Sequence, residues 1–229
     1  MKTDLGQQWD TASAIPIKLA ALSSVTMEAL TDFSYFQNWI PRELQRALID
    51  LESNQIANGS GATGDLPGMT GFFNTAGTLT RSFQGGYDIT GLDTLIKAVN
   101  DLRVGPAFAT ASVIALHPST WTYLKLSKTT TDAYVLGIMD PNVLGGLKNL
   151  WGIPVVENTF IPEGSAIVMD ADKAARYFIR QGLTLDSNPW GDSEWQYNLI
   201  AFRAEMRSTL AILRPTAINL VSGLGYDGS

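Results

Sequence analysis

The sequence predicts an α+β protein, and three observations predict it. Helical spacing of apolar residues begins near Thr26 and continues toward Asn58-Gly59, then returns from Thr90 to Leu102. A period of two governs residues 197–213. Short apolar runs bounded by Gly and Pro lie between them, without the strict strand-helix alternation of a parallel α/β sheet.

The first element is a strand in ASAIPIKLAALSS, with no earlier element to pair with. A long amphipathic helix follows, with Phe33, Phe36, Ile40, Leu44, Leu48 and Leu51 at helical spacing and Asp32 as the expected N-cap. Pro41 should bend it or open a new helix. The glycine-rich NGSGATGDLPGMTG then reads as a flexible loop, and NTAGTLTRSFQGGYD as irregular chain or short strands. Thr90 and Asp93 form a capping-box pattern for a helix that places Leu92, Leu95, Ile96, Val99 and Leu102 on one face. ASVIAL is a buried strand, and HPSTWTYLKLSK a helix with Pro118 at its first position. Ile153–Glu157 and Ser165–Met169 read as two strands joined by a turn at Pro162-Glu163-Gly164, and KAARYFIRQGLTLDSN as further strand and turns.

The segment YNLIAFRAEMRSTLAILRP is the most informative. Its even positions carry Ile200, Phe202, Ala204, Met206, Leu210 and Ile212, and its odd positions carry Arg203, Glu205, Arg207 and Thr209. As one strand from Tyr197 to Leu213 it spans roughly 55 Å, whereas a compact globule of this length has a radius of gyration of about 17 Å. That mismatch predicts an elongated molecule, or one that reaches toward a neighbour.

Composition narrows the function classes. The 229 residues suffice for a large core, and 45% hydrophobic content argues against disorder. A net charge of -6 disfavours a dedicated nucleic-acid binder, which needs clustered Lys and Arg, while leaving room for a weak local contact. The absence of cysteine excludes disulfides and thiolate metal sites, and no apolar run approaches the roughly 20 residues of a membrane span. The expectation is a protein with no metal, no cofactor and no membrane association.

Four features could carry chemistry, and each has a plainer explanation. Gly59-Ser60-Gly61-Ala62-Thr63-Gly64 fits Gly-x-Gly-x-x-Gly, but a helix precedes it and loop follows, the reverse of the dinucleotide context. His117, the sole histidine, precedes Pro118 and reads as a residue at a helix start. Asp170 and Asp172 in MDADK read as solvated turn residues, with no calcium-loop pattern around them. Trp39, Trp121 and Trp151 are assigned to core packing, whereas Trp190 and Trp195 flank GDSE in a turn-rich segment and suit contact with a partner.

Three blocks, in this order, resemble the tailed-bacteriophage major capsid protein family with its Hong Kong 97-like fold. They are VTMEALTDFSYFQNWIPRELQRALIDLESNQIANGSG, similar to the family's spine helix and glycine-rich exit; LWGIPVVENTFIPEGSAIVMD, similar to its G-x-P-V-V strand with a Pro-x-Gly hairpin; and NLIAFRAEMRSTLAILRPTAINLV, similar to its long strand and return strand. Together they cover about half of the chain. The resemblance implies a peripheral domain in residues 1–90, an axial domain with a mixed central sheet and flanking helices in 91–195, a long strand returning to the peripheral domain in 196–214, and a C-terminal axial strand in 215–229. It implies a structural subunit, not an enzyme, that forms pentamers and hexamers of itself in the bacterial cytoplasm and ends in the virion capsid. Scaffolding protein, maturation protease, portal and non-specifically bound double-stranded DNA are the implied partners.

On this reading Arg203, Glu205 and Arg207 pair across subunits and set register; the plainer alternative is a solvated strand face. The resemblance also places Asn198 and Glu205 at positions that take part in a lysine-asparagine crosslink in one family member. An odd separation of about 23 Å puts them on opposite faces of one strand, so two subunits would have to supply them. The chain begins on what resembles the returning strand of the family's extended loop, so the N-terminal arm and most of that loop, which holds the crosslinking lysine, are expected to be missing; Lys2 and Lys18 are the only lysines before the spine helix. Two rival readings are an encapsulin-like compartment shell and a small α+β enzyme using the glycine-rich loop.

Overall fold

The computed structural model describes residues 14–63, 66–85, 88, 90–127 and 149–225. Two sheets, each with its own apolar cluster, organise the described chain. The first holds β1 (Ile17–Thr26), β10 (Leu199–Ile212) and β9 (Ala175–Asn188) in the order β1-β10-β9, antiparallel throughout. The opening strand thus finds its partner nearly 200 residues later, Ile17 facing Ser208 and Thr26 facing Leu199. β10 has 14 residues, about 46 Å of strand. Two register shifts between Glu205 and Ser208 mark extra residues on β9 around Gly182 and Arg180.

Helix α2 (Ser34–Asn58) lies against this sheet, preceded by the short α1 (Met27–Asp32). Ile40, Leu44 and Leu48, spaced by four, bury themselves with Ile17, Leu19, Ala204 and Met206. Leu48 is fully enclosed. The expected cap at Asp32 is corrected: the helical chain starts earlier, where Thr26 accepts from the Ala29 N–H, and Phe33 sits between the two helices without a side-chain cap. α2 runs through Pro41 without ending, because tertiary packing outweighs the one donor that proline withholds.

The glycine-rich stretch is also corrected. It contains a hairpin of β2 (Ser60–Thr63) and β3 (Leu66–Thr70), folded back on the end of α2. A Cβ on Gly59 would stand 2.1 Å from the Met69 carbonyl oxygen, and one on Gly71 2.5 Å from the Gly59 nitrogen. These glycines permit backbone to meet backbone. Gly64 lies outside the described residues, as does Lys2.

The second sheet has six strands: β4 (Leu79–Ser82), β5 (Val113–Leu116), β6 (Asn149–Leu150), β7 (Ile153–Glu157), β8 (Ala166–Met169) and β11 (Ile218–Ser222). Their order is β4-β11-β8-β5-β7-β6, with parallel pairs β11/β4 and β5/β7. β7 and β8 were expected to face each other across the Pro162-Glu163-Gly164 turn; instead β5 lies between them, pairing with both. The fully buried Ile114 and Leu116 give β5 enough apolar surface for that central place. Helices α3 (Gly91–Val104) and α4 (Pro118–Leu126) pack on this sheet. The Thr90/Asp93 capping box is present, and His117 caps α4 by accepting the Ser119 N–H on Nδ1 at 3.1 Å.

Three aromatic and apolar assignments change. Trp121 is buried as expected, but Trp39 and Trp151 are 42% and 51% exposed, and Ile96 faces outward on α3. No described helix is long and apolar enough to cross a membrane.

Candidate functional site

Residues facing each other across an antiparallel ladder point to the same side of the sheet, so the register defines the two faces of β1-β10-β9. Leu19, Met206, Ala21 and Ala204 face α2. Lys18 with Arg207, Ala20 with Glu205 and Thr184, and Leu22 with Arg203 and Asp186 face away. The alternation read in the sequence is therefore real over most of the strand. It lapses near Ser208 and Thr209, both of which are buried.

On the outward face the charges form a chain. Asp186 Oδ2 accepts from Arg203 Nη2 at 3.1 Å, Arg203 Nε lies 3.2 Å from Glu205 Oε2, and Lys18 Nζ lies 2.6 Å from the same oxygen. Both contacts to Glu205 Oε2 are attractions between charges at angles that make no hydrogen bond. Glu205 is 14% exposed while its cationic partners are about half exposed, so the cluster is anchored by the carboxylate and open at its rims. Arg207 is exposed and has no ion pair among the described residues.

Of the four strand residues singled out by sequence, the structure thus joins Arg203 and Glu205 within one chain. Asn198 stands apart, just before β10, at φ 53° in the left-handed region that asparagine tolerates, its carbonyl accepting the Met27 N–H at 2.9 Å. The roles of Lys18 and Asp186 were invisible to sequence reading, because they depend on a register that joins β1 and β9 to β10. The alternating polarity of β1, exposed at Lys18, Ala20, Leu22 and Ser24, was the available signal.

The buried face is tied to the helix by Tyr177, whose hydroxyl donates to Glu52 Oε1. Burial, with the neighbouring Glu52 carboxylate second, pushes the Tyr177 phenol up to about 12. Elsewhere, buried polar groups serve structure. Asp88 accepts from Lys97, Thr94 and the Gln84 N–H, and the bond from Lys97 holds its carboxyl below the usual range. Asp170, expected in solvent, is buried; it accepts from the Thr110 and Lys173 N–H groups and caps the turn Ala171–Ala174. Among the described residues no group of three or more His, Asp and Glu could hold a metal ion.

The phage capsid family profile matches residues 1–223. The chain is 26% identical over 202 residues to the major capsid protein of Enterobacteria phage HK97, a match that covers 88% of this chain and 50% of that protein. The chain thus spans about half the length of the curated relative it matches. Among solved structures, a chain from Gordonia phage Cozz aligns with a TM-score of 0.73 at 19% identity, covering 97% of this chain and 76% of that one. The capsid of the native GTA particle aligns at 0.72 and 16% identity, covering 96% and 79%. At such identities the likeness speaks to the fold, which is Hong Kong 97-like. A helix against a long three-stranded sheet, a six-stranded mixed sheet beside it and a profile match over nearly the whole length lead to one statement: the chain belongs to the phage capsid family.

Proposed function

We propose that the protein is a structural subunit of an icosahedral phage or prophage capsid, assembling through pentamers and hexamers of itself around double-stranded DNA. The observation that carries the reading is family membership over residues 1–223. The outward face of β1-β10-β9 supports it physically. That face presents a cluster of mixed charge, with an Arg207 that has no ion pair among the described residues, on a strand about 46 Å long, a surface suited to setting register between copies. Arg203, Glu205 and Arg207 are its contact residues. Glu205, already held by Lys18, acts there as the fixed anion that orients both cations.

The domain division belongs to the same proposal: a peripheral domain of residues 1–90 with the long strand of 196–214, and an axial domain of 91–195 with 215–229. Two strands cross this division: β4, inside the first span, is hydrogen-bonded into the six-stranded sheet, and β9, inside 91–195, pairs with β10 in the three-stranded sheet. In the assembled state the protein resides in the virion capsid, formed in the host cytoplasm, with scaffolding protein, maturation protease and portal as partners. A net charge of -6 leaves room for only a weak, local and non-specific contact with packaged DNA.

Sedimentation velocity over a wide concentration range, with negative-stain microscopy of the fastest species, tests the reading. Rings or closed shells are expected; a monomer at every concentration contradicts it. Under denaturing conditions the assembled protein should run as a uniform monomer band: Asn198 and Glu205 lie about 23 Å apart along one strand, so a crosslink would need two subunits, and Glu205 is engaged with Lys18.

A further inference from the structure

Strand β9 and the turn that follows it are polarised along their length. From Lys173 to Leu185 the chain carries Lys173, Arg176 and Arg180 and no acid; from Asp186 to Gln196 it carries Asp186, Asp192 and Glu194 and no base. Lys173 is spent on Asp170 and the Phe108 carbonyl, but Arg176 and Arg180 are exposed and have no ion pair among the described residues. Arg207, beside Gln181, likewise has no ion pair among the described residues. The two ends are about 40 Å apart along the strand, so Asp192 at the tip cannot reach Arg176 of its own chain, while Asp186 is already paired with Arg203.

Apolar surface follows the same division. At the tip, Trp190 and Trp195 stack with ring centroids 5.9 Å apart and planes 23° from parallel, yet they are 75% and 72% exposed. The pair is pre-shaped: Asn188 Oδ1 accepts the Trp190 N–H at 2.9 Å, and the Trp195 N–H donates to the Gly191 carbonyl at 2.9 Å. At the base, Phe178 and Ile179 are more than half exposed, and Phe178 lines both a groove of about 820 Å³, shared with Ile15 and Leu213, and a smaller one of about 330 Å³ beside Arg176. Two stacked indoles beside Asp192, and an exposed Phe178 that carries Arg176 and Arg180 two residues to either side on the same strand, are complementary in both charge and polarity.

We propose that the Trp190-Trp195 tip of one copy docks in the groove beside Phe178 of a second copy, its acid Asp192 facing Arg176 and Arg180. The contact is heterologous: each copy offers one tip and one groove, so it propagates from copy to copy until a ring closes. Trp and Arg at the centre of such a contact are the residue types that most often dominate binding. The proposal rests on the self-assembling reading above. A tip-to-tip contact is disfavoured because it would bring like charges together.

The chain has no cysteine, so introduced ones report without background. Gln196→Cys marks the tip and Asp172→Cys, which lines the smaller groove with Arg176 and Phe178, marks the base; both positions are exposed. The full-length variants, one carrying a size tag, are mixed under mild oxidation and resolved on a non-reducing gel. The mixed tip-base dimer should exceed either self-paired dimer about tenfold, and adding Trp190→Ala to the tip variant should remove the excess. A prevailing tip-tip dimer, or a mixed dimer no more abundant than the self-pairs, overturns the proposal. Sedimentation of the unmodified chain separates the two levels: assembly without the mixed disulfide refutes this docking alone, whereas monomer without it refutes the self-assembling reading as well.

Discussion

Replacing Gly59 by alanine asks whether the glycine-rich stretch serves packing or a ligand. Gly59 has φ -52° and ψ 131°, which alanine adopts without strain, so any penalty is steric. The new Cβ would lie 2.1 Å from the Met69 carbonyl oxygen and 2.5 Å from that of Gln55, both backbone atoms that no rotamer change can move. Relief requires the end of α2 and β3 to part by about 1 Å, which disrupts the bonds from Gly59 N to Gln55 O at 2.9 Å and from Gly71 N to Gly59 O at 2.8 Å. At about 1 kcal/mol for each of the two lost hydrogen bonds and 1–3 kcal/mol for overpacking, the expected loss is about 3–5 kcal/mol. Gly182→Ala is the control: nothing lies within 4 Å of its Cβ, and the change should be neutral or slightly stabilising. Urea unfolding monitored by tryptophan fluorescence reads both. Equal stabilities for the two variants would refute the close approach and return the loop to the candidates for ligand binding.

Other perturbations follow from the same geometry. Glu205→Gln removes the anion shared by Lys18 and Arg203; because both cations are about half exposed, the cost should be about 1 kcal/mol at low salt and smaller at 1 M salt, measured by urea unfolding at both ionic strengths. Tyr177→Phe tests the tie between β9 and α2. The folded phenol is held near 12 and the unfolded one titrates near 10, so the unfolded state binds fewer protons between them and the wild type should lose stability as pH rises through that window. The Phe variant should show a flatter profile there in thermal melts. Leu48→Ala, at a fully enclosed site in the helix-sheet cluster, should cost about 3–5 kcal/mol, against less than about 0.5 kcal/mol for its exposed neighbour Ile49→Ala, by the same urea assay.

Local chemistry was legible in the sequence, and long-range pairing was not. The spacing of Ile40, Leu44 and Leu48 identified the buried face of α2, and Thr90 with Asp93 identified the start of α3, because both signals lie within a turn or two of chain. Thr26 was passed over as a cap because Asp32 carried the same signal at the start of the more obvious apolar spacing. The hairpin β2-β3 was read as a loop because glycine has low strand propensity; only the approach of Met69 to Gly59 shows why glycine is needed. The insertion of β5 between β7 and β8 depends on contacts across some 50 residues, which adjacency in sequence cannot reveal. The charged stripe on β10 was visible, but its meaning was half hidden. Arg203 and Glu205 already have partners in Asp186 and Lys18, and what remains open to a neighbour is Arg207 and the rims of the cluster.

The position of the long sheet in an assembly decides whether its outward face is a contact between copies. An electron cryo-microscopy reconstruction of the largest species the protein forms tests this most directly. The account predicts a ring of five or six copies, or a closed shell, in which the outward face of β1-β10-β9 lies at a boundary between copies and Arg207 meets an acidic group of its neighbour. An ordered assembly with that face open to solvent on every copy would contradict it.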